Sequence, residues 1–367
     1  MQYRNTYIRV DISAVGRNTA ALKHAVSPAK MLAVVKANAY GHGSVQTAQT
    51  VLKNGAEYLG VAIPEEGETL RLAGITAPIL VLGSVNAAGA EASVRLGLTQ
   101  TVFDPERVEM LERAAARQGK EALVHLKCDT GMGRIGVRDE KELRAVLDKI
   151  AACPHVRLTG AFTHFADADG AGEEYTRLQI ARFEKMRKLL PAGILIHASA
   201  SAAAARYPEA RYDMVREGIS LYGCPPVEQE IKLEPALSWH TEIACVKAIA
   251  PGECVSYGCT FRARKETRVA TLPVGYGDGY HRALSERAQV LIAGKRCPVI
   301  GRVCMDQTMV DVTGLAPNET AVGAPVVLLG KQDEDEITAG QLASWAGTIS
   351  YEMLLAATAR VPIIYVE

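Results

Sequence analysis

Neither sign of charge predominates: 41 basic residues face 41 acidic ones, so the broad positive field that non-specific nucleic-acid binding needs is missing. No run of about eighteen apolar residues occurs, and the opening MQYRNTYIRVDIS lacks an apolar stretch of signal-peptide length, which argues against membrane insertion and export. The eight cysteines never form a CxxC pair, a pattern that fits reduced thiols better than a disulfide framework or a zinc site. Aromatic residues are scarce at 5%, and tyrosine (13) outnumbers phenylalanine (5) and tryptophan (2), a hint that some phenols are kept for their hydroxyls. What is present is a globular balance, 48% hydrophobic and 22% charged over 367 residues, which excludes disorder. The expectation is a cytoplasmic protein with no nucleic-acid, membrane or metal partner.

From residue 31 to about 218, short apolar runs alternate with helical patterns, the signature of repeated βα units on a parallel sheet. Eight strands are expected, at residues 31–35, 58–63, 78–82, 99–103, 122–128, 157–163, 194–197 and 212–215. Asp104 before Pro105 reads as an N-cap ahead of a first-turn proline; Val108, Leu111 and Ala115 form the apolar face and Gly119 stops the helix. Further faces are predicted from Leu143, Val146, Leu147 and Ile150, and from Tyr175, Leu178, Met186 and Leu190 around Phe183. Eight such strands close most naturally into a (β/α)8 barrel, with a doubly wound open sheet as the rival. Beyond Pro225, Pro226 and the polar segment 228–234, short β-rich runs at 242–249, 268–274, 290–292, 299–303, 308–312 and 325–329 are separated by Gly, Pro or Asn turns, with one helical stretch at 339–359. The division expected is therefore a barrel domain over 1–230 and a mainly β domain over 231–367.

In a barrel, reactive groups project from the carboxyl ends of the strands. The first strand delivers Lys36 in VVKANAYGHG. The fifth runs into KCDTGMGRIG with Lys127, Asp129 and Arg134; the sixth ends at His164; the seventh enters HASASA with Ser201; and Arg216 follows the eighth in MVREGISLYG. Each has an ordinary alternative: a solvated loop lysine, a surface His–Asp pair, an Arg–Glu salt bridge, a plain glycine turn. Their concentration at one end of one sheet favours a site. A lysine desolvated at a barrel mouth becomes an imine-forming amine, and the loops after strands seven and eight, carrying Ser201, Gly218 and Ile219, are where this fold commonly takes phosphate. Together these suggest pyridoxal 5′-phosphate.

The segments VVKANAYGHG, LKCDTGMGRIG, THFADAD, YDMVREGISLYG, VSYGCTF, GYGDGYHR, GRVCMDQTMVD and SYEMLL resemble, in order and across both domains, the motif series of bacterial alanine racemase, a fold type III pyridoxal phosphate enzyme. The resemblance implies that Lys36 carries the cofactor and acts as one base, with Tyr257, supplied by the partner subunit's β domain, as the other. It implies that Tyr40, Ser201, Gly218, Ile219 and Tyr351 hold the phosphate, that Arg216 faces the pyridine nitrogen, and that His164 lies between Arg216 and the tyrosine. Arg134 and the Met305 backbone would meet the substrate carboxylate, Lys127 matches a lysine that is often carbamylated, and Tyr276, Arg282, Arg302, Asp306 and Ile349 match the entry corridor. The implied activity is interconversion of L- and D-alanine for peptidoglycan, by a homodimer with shared sites.

Three segments depart from the commoner pattern. Ala200 stands where an asparagine usually precedes the serine, GYGDGYHR replaces GYADGYPR, and Ile363 occupies a position where arginine is frequent. None removes a catalytic group. A broad-specificity racemase of the same fold is the alternative. Arg216 and Tyr257 argue against a decarboxylase of this fold, and the β domain argues against a non-catalytic barrel that only binds the cofactor.

Overall fold

The computed structural model describes residues 4–367, which form two compact units: Ala14–Ala39 with Gly43–Glu234, and residues 4–13 and Tyr40–His42 with Pro235–Glu367. Residues 4–13, expected above to lie with the barrel, thus pack with the C-terminal unit. The reason is pairing: strand β1 (Tyr7–Asp11) lies antiparallel to a C-terminal strand through Tyr7 opposite His240, and parallel to the last one through Ile8 opposite Ile363.

The barrel unit holds eight parallel strands: β2 (Lys30–Val34), β3 (Tyr58–Val61), β4 (Ile79–Val81), β5 (Thr99–Val102), β6 (Ala122–Lys127), β7 (Val156–Phe162), β8 (Leu195–His197) and β9 (Met214–Glu217). All eight expected strands are present. They pair in sequence from β8 back to β2, and β2 then pairs with β9. Closure between β8 and β9 rests on few contacts: a bridge of Ala200 with Arg216, Arg216 N–H donating to Ser199 O at 2.9 Å, and Asp213 N–H donating to Ile196 O at 3.0 Å. That near-barrel decides against the open sheet.

The helices of this unit are α1 (Ile12–Val26, which begins at the unit boundary), α2 (Ser44–Lys53), α3 (Pro64–Leu72), α4 (Ala87–Arg95), α5 (Pro105–Gln118), α6 (Glu140–Ala151), α7 (Glu174–Arg187) and α8 (Ser201–Arg206). The α5 signals hold as read: the Asp104 carboxylate accepts from Arg107 N–H and Gly119 ends the helix left-handed at φ 61°. The α7 face differs from expectation. Tyr175 and Leu178 are exposed and Leu190 lies past the helix end; Thr176, Gln179, Phe183 and Met186 face inward. Gln179 is tolerated there because its amide bonds Ala166 N–H, the Thr130 hydroxyl and His164 O.

The second unit contains β10 (Leu237–Glu242), β11 (Cys245–Ile249), β12 (Cys254–Val255), β13 (Phe261–Arg262), β14 (Thr267–Leu272), β15 (Gln289–Ile292), β16 (Lys295–Pro298), β17 (Thr308–Asp311), β18 (Pro325–Gln332), β19 (Asp335–Ile337) and β20 (Ile363–Val366). One sheet runs β16-β15-β18-β10-β1-β20 with β19 on β18; a second runs β11-β14-β17; β12 and β13 form a hairpin. The run expected at 242–249 is broken because β10 and β11 belong to different sheets, and 299–303 yields only an isolated bridge of Val299 to Val310. The expected helix 339–359 is two, α9 (Ala339–Ala346) and α10 (Ser350–Leu355), parted where Gly347 turns left-handed at φ 74°.

Phe183 is fully buried in the barrel unit and meets Tyr212 edge-on with ring centroids 5.6 Å apart. Phe183→Ala should cost about 3–5 kcal/mol, read as a lowered urea midpoint; a change below about 1 kcal/mol would mean that the site collapses without a cavity.

Candidate active site

Lys36 follows β2, and from Ala37 to Tyr40 every residue is left-handed, with φ between 51° and 54°. Such a conformation costs an L-residue roughly 1–2 kcal/mol, so four in succession need support. Glu66 of α3 provides part of it: one carboxylate oxygen accepts Ala37 N–H at 2.6 Å and the other accepts Ala62 N–H at 2.7 Å. The Asn38 side chain accepts Ser44 N–H at 2.9 Å at the far end. Burial, then the nearby Arg134 charge, lower the Lys36 pKa, against the opposing pull of Glu66. Lys36 is therefore an amine biased towards its neutral, nucleophilic form.

Arg216, at 3% exposure, occupies the barrel interior. One terminal nitrogen donates to His197 Nδ1 at 3.1 Å; the other donates to Ala198 O at 2.7 Å, Thr163 O at 2.9 Å and His164 Nδ1 at 3.2 Å. A guanidinium can only donate, which fixes both imidazoles. His197 must accept at Nδ1 and carry its proton on Nε2, which lies 3.0 Å from His125 Nδ1; His164 likewise keeps a proton on Nε2. Burial, then the Arg216 charge, push the pKa of His164 and His197 well below the usual imidazole value and that of His125 down to about 3, so all three are neutral. Arg216 itself is pulled down by burial to about 9 and stays charged. Its Nε–H makes no hydrogen bond among the described residues.

Lys127 and Arg216 lie over the Phe162 ring, 4.8 Å and 5.4 Å from its centroid, and Phe162 stacks on His197 at 4.7 Å. Lys127 is 3% exposed and its amine has no hydrogen-bond partner among the described residues; burial first, then Arg216, bring its pKa down to about 7. The glycine-rich loop beyond it is held by Asp129, whose carboxylate accepts the N–H groups of Gly131, Gly133 and Arg134, and by the Tyr175 hydroxyl on Gly131 O at 2.8 Å. Arg134 is exposed on this loop. At the ends of β8 and β9, Gly218 N–H donates to the Ser201 hydroxyl at 2.9 Å and Ile219 begins a 3-10 turn.

The remaining candidates belong to the other unit. Tyr40 and Tyr351 stand with ring centroids 6.0 Å apart, and Gly41, at φ 85°, lies so close to α10 that a Cβ would fall 2.3 Å from Leu354 O. Tyr257 is 70% exposed, between Ser256 at φ 66° and Gly258 at φ 76°; the Ser256 hydroxyl donates to Arg302 O at 2.6 Å. Met305 is also exposed; its carbonyl accepts from Gly277 at 2.8 Å and its own N–H makes no hydrogen bond among the described residues. Asp306 pairs with Arg360 at 2.8 Å. Tyr276 and Ile349 are exposed, and Arg282 opens a 3-10 turn.

The ordinary alternatives for two residues give way here. His164 faces Arg216 rather than Asp167 or Asp169, and Arg216 cannot pair with Glu217 because adjacent strand residues face opposite sides. Sequence reasoning missed Glu66, His125, His197 and Gln179; apart from Ala62 N–H, four residues before Glu66, their partners lie on other elements, and the alternation of His125 with Lys127 along one strand was a local signal. Gln179→Leu leaves Ala166 N–H and His164 O without their side-chain partner, while the Thr130 hydroxyl keeps Thr163, at a cost of about 1–3 kcal/mol. Amide exchange of residues 130–134 should then accelerate several-fold while α7 amides hold; unchanged loop exchange would show that Asp129 and Tyr175 suffice.

A family description, the N-terminal domain of alanine racemase, matches residues 10–226, and that of its C-terminal domain matches residues 236–365. An alanine racemase of Symbiobacterium thermophilum is 49% identical over 99% of this chain and 97% of its own length. The solved alanine racemase of Bacillus anthracis with bound L-Ala-P is 37% identical and superposes with a TM-score of 0.94 over 100% of this chain and 96% of its own. A histidine racemase of Leuconostoc mesenteroides shares the architecture at a TM-score of 0.91 and 30% identity, over 100% of this chain and 99% of its own. With both domain descriptions matched in order and relatives this similar from end to end, the chain belongs to the alanine racemase family and is an amino-acid racemase.

Proposed function

We propose that the protein is a pyridoxal 5′-phosphate-dependent alanine racemase of the cytoplasm that interconverts L- and D-alanine with two bases, Lys36 and Tyr257, and so provides D-alanine for peptidoglycan. The observation that carries the reading is the buried, charged Arg216, whose four hydrogen bonds leave Nε–H unused, a donor suited to an unprotonated ring nitrogen. The residues fit the cofactor in other respects too. Lys36 is a desolvated amine, and the Ser201 hydroxyl, held by Gly218 N–H, together with the Ile219 N–H offers neutral donors for a phosphate, joined by the Tyr40 and Tyr351 hydroxyls.

When bound, pyridoxal phosphate supplies the electron sink that makes the α-proton of an amino acid acidic. The protein must move that proton from one face to the other. Lys36 would hold the cofactor and serve as the base on one face; Tyr257 from a second copy of the chain would serve on the other. A phenol has a pKa of about 10 and needs help to ionise. His164 gives it: with Nδ1 occupied by Arg216, its Nε2–H is left to donate to the phenolate. Arg134 and the Met305 N–H would bind the substrate carboxylate, and Tyr276, Arg282, Arg302, Asp306 and Ile349 would line the way in.

Lys127 would be carbamylated. An unpartnered amine with a pKa of about 7 is substantially unprotonated at neutral pH and can attack carbon dioxide, releasing a proton and becoming an anion beside Arg216 and Arg134. The modified fraction should rise with bicarbonate and with pH through 7, since only the neutral amine reacts; an intact mass lacking one added carbon dioxide at alkaline pH under bicarbonate would remove this assignment.

The second reading, a broader amino-acid racemase, draws support from the histidine racemase of the same architecture. A methylene of pocket space discriminates by only about 1–3 kcal/mol. The central test is complementation on alanine, read by chiral chromatography. Lys36→Ala and Tyr257→Phe should each abolish D-alanine formation, and verified heterodimers of the two should recover it at the one intact site. Inactive heterodimers would place both bases in one chain, and activity surviving in either parent would end the two-base reading.

A further inference from the structure

Glu217 ends β9 one residue after Arg216, and strand alternation sends the two side chains to opposite faces. Arg216 takes the barrel interior; Glu217 is directed to the side where α8 begins. The carboxyl is 1% exposed, and its Oε2 has no hydrogen-bond partner among the described residues. Its polar neighbour is the Ser201 hydroxyl, the same oxygen that accepts Gly218 N–H at 2.9 Å. On β2 its register partner is the apolar Ala33. The charged group that acts on it is Arg211, whose guanidinium is engaged by the carbonyls of Ala204 and Ala25. Burial outweighs both Ser201 and Arg211 and raises the carboxyl to about 7.

The groups assigned above to the cofactor phosphate are Tyr40, Ser201, Gly218, Ile219 and Tyr351, and none is a cation. A phosphate held by neutral donors alone is disfavoured by any carboxylate beside them. Proton geometry adds a second constraint. A serine hydroxyl has one proton to give and two lone pairs. One lone pair is taken by Gly218 N–H. An ionised Glu217, which can only accept, draws the single Ser201 proton to itself and away from the phosphate. A protonated Glu217 donates to the second lone pair, which frees the Ser201 proton for the phosphate.

We propose that Glu217 is a positioning residue that must hold a proton for Ser201 to face the cofactor phosphate, so that cofactor binding is coupled to proton retention at this buried carboxyl. The inference rests on the pyridoxal phosphate reading above. Its sign follows from linkage. Below pH 7 the carboxyl is neutral and affinity is complete; above it, ionisation of the free protein competes with binding, and affinity falls as pH rises.

The test measures binding of pyridoxine 5′-phosphate to the cofactor-stripped full-length protein from about pH 6 to about pH 9. This probe has the same phosphate but cannot bond covalently to Lys36, and titration of its own phosphate is common to every variant. The wild type should lose affinity about fivefold between pH 7 and 8 and up to about tenfold over the next unit relative to Glu217→Gln, whose neutral amide keeps tight binding with a flatter profile. Glu217→Met, apolar and of similar length, should give the same flattening and serves if the Gln variant folds poorly. A carboxyl with a merely structural role would alter thermal stability but leave the slopes parallel. Parallel slopes, or weak binding by both folded variants at acid pH, overturn the role of Glu217 and leave the cofactor reading standing. Failure of pyridoxal phosphate to bind the wild type at any pH overturns both.

Discussion

A guanidinium enclosed in a barrel sets the terms for everything around it. Arg216 cannot shed its charge at neutral pH, and burying an ion without partners is prohibitive. The interior must therefore offer acceptors and no further protons. It does so with two carbonyl oxygens and two imidazoles kept neutral by the same desolvation that threatens the arginine. The chain of consequence runs outward. Fixing His197 as an acceptor fixes His125, and fixing His164 as an acceptor leaves its other nitrogen as a donor. Arg216 also supplies, beside Asp213, part of the backbone pairing between β9 and the segment of β8, so one residue contributes both to barrel closure and to the interior electrostatics.

The two units differ in how they present their chemistry. In the barrel unit the polar groups are shielded and shifted from their solution behaviour: burial brings the Lys127 amine down and the Glu217 carboxyl up, each to about 7, and holds the His125 imidazole down at about 3. In the other unit Tyr257 and Met305 are exposed on turns with left-handed backbone or unused N–H groups.

The barrel was legible because its signals are local. Strands buried on both faces read as unbroken apolar runs, and α5 declares its ends through Asp104, Pro105 and Gly119. Lys36, His164, Ser201 and Arg216 were legible as a group since the carboxyl ends of parallel strands lie on one side. Less was legible where long-range pairing overrides the local pattern. The terminal strands β1 and β20 acquire their identity from each other and from β10. Gln179 occupies an inward face that periodicity assigns to an apolar side chain, and its reason is three partners on other elements. Glu66 sits in an acidic first helical turn like many others, and although it accepts Ala62 N–H four residues back, nothing nearby in sequence announces that it also accepts Ala37 N–H.

The left-handed run that begins at Ala37 makes chirality itself a determinant of how the chain leaves Lys36. Small side chains at Ala37 and Ala39 leave that hand sterically attainable. Bulkier β-branched replacements there would raise the cost of the turn and redirect the chain beyond Lys36 without touching the lysine itself.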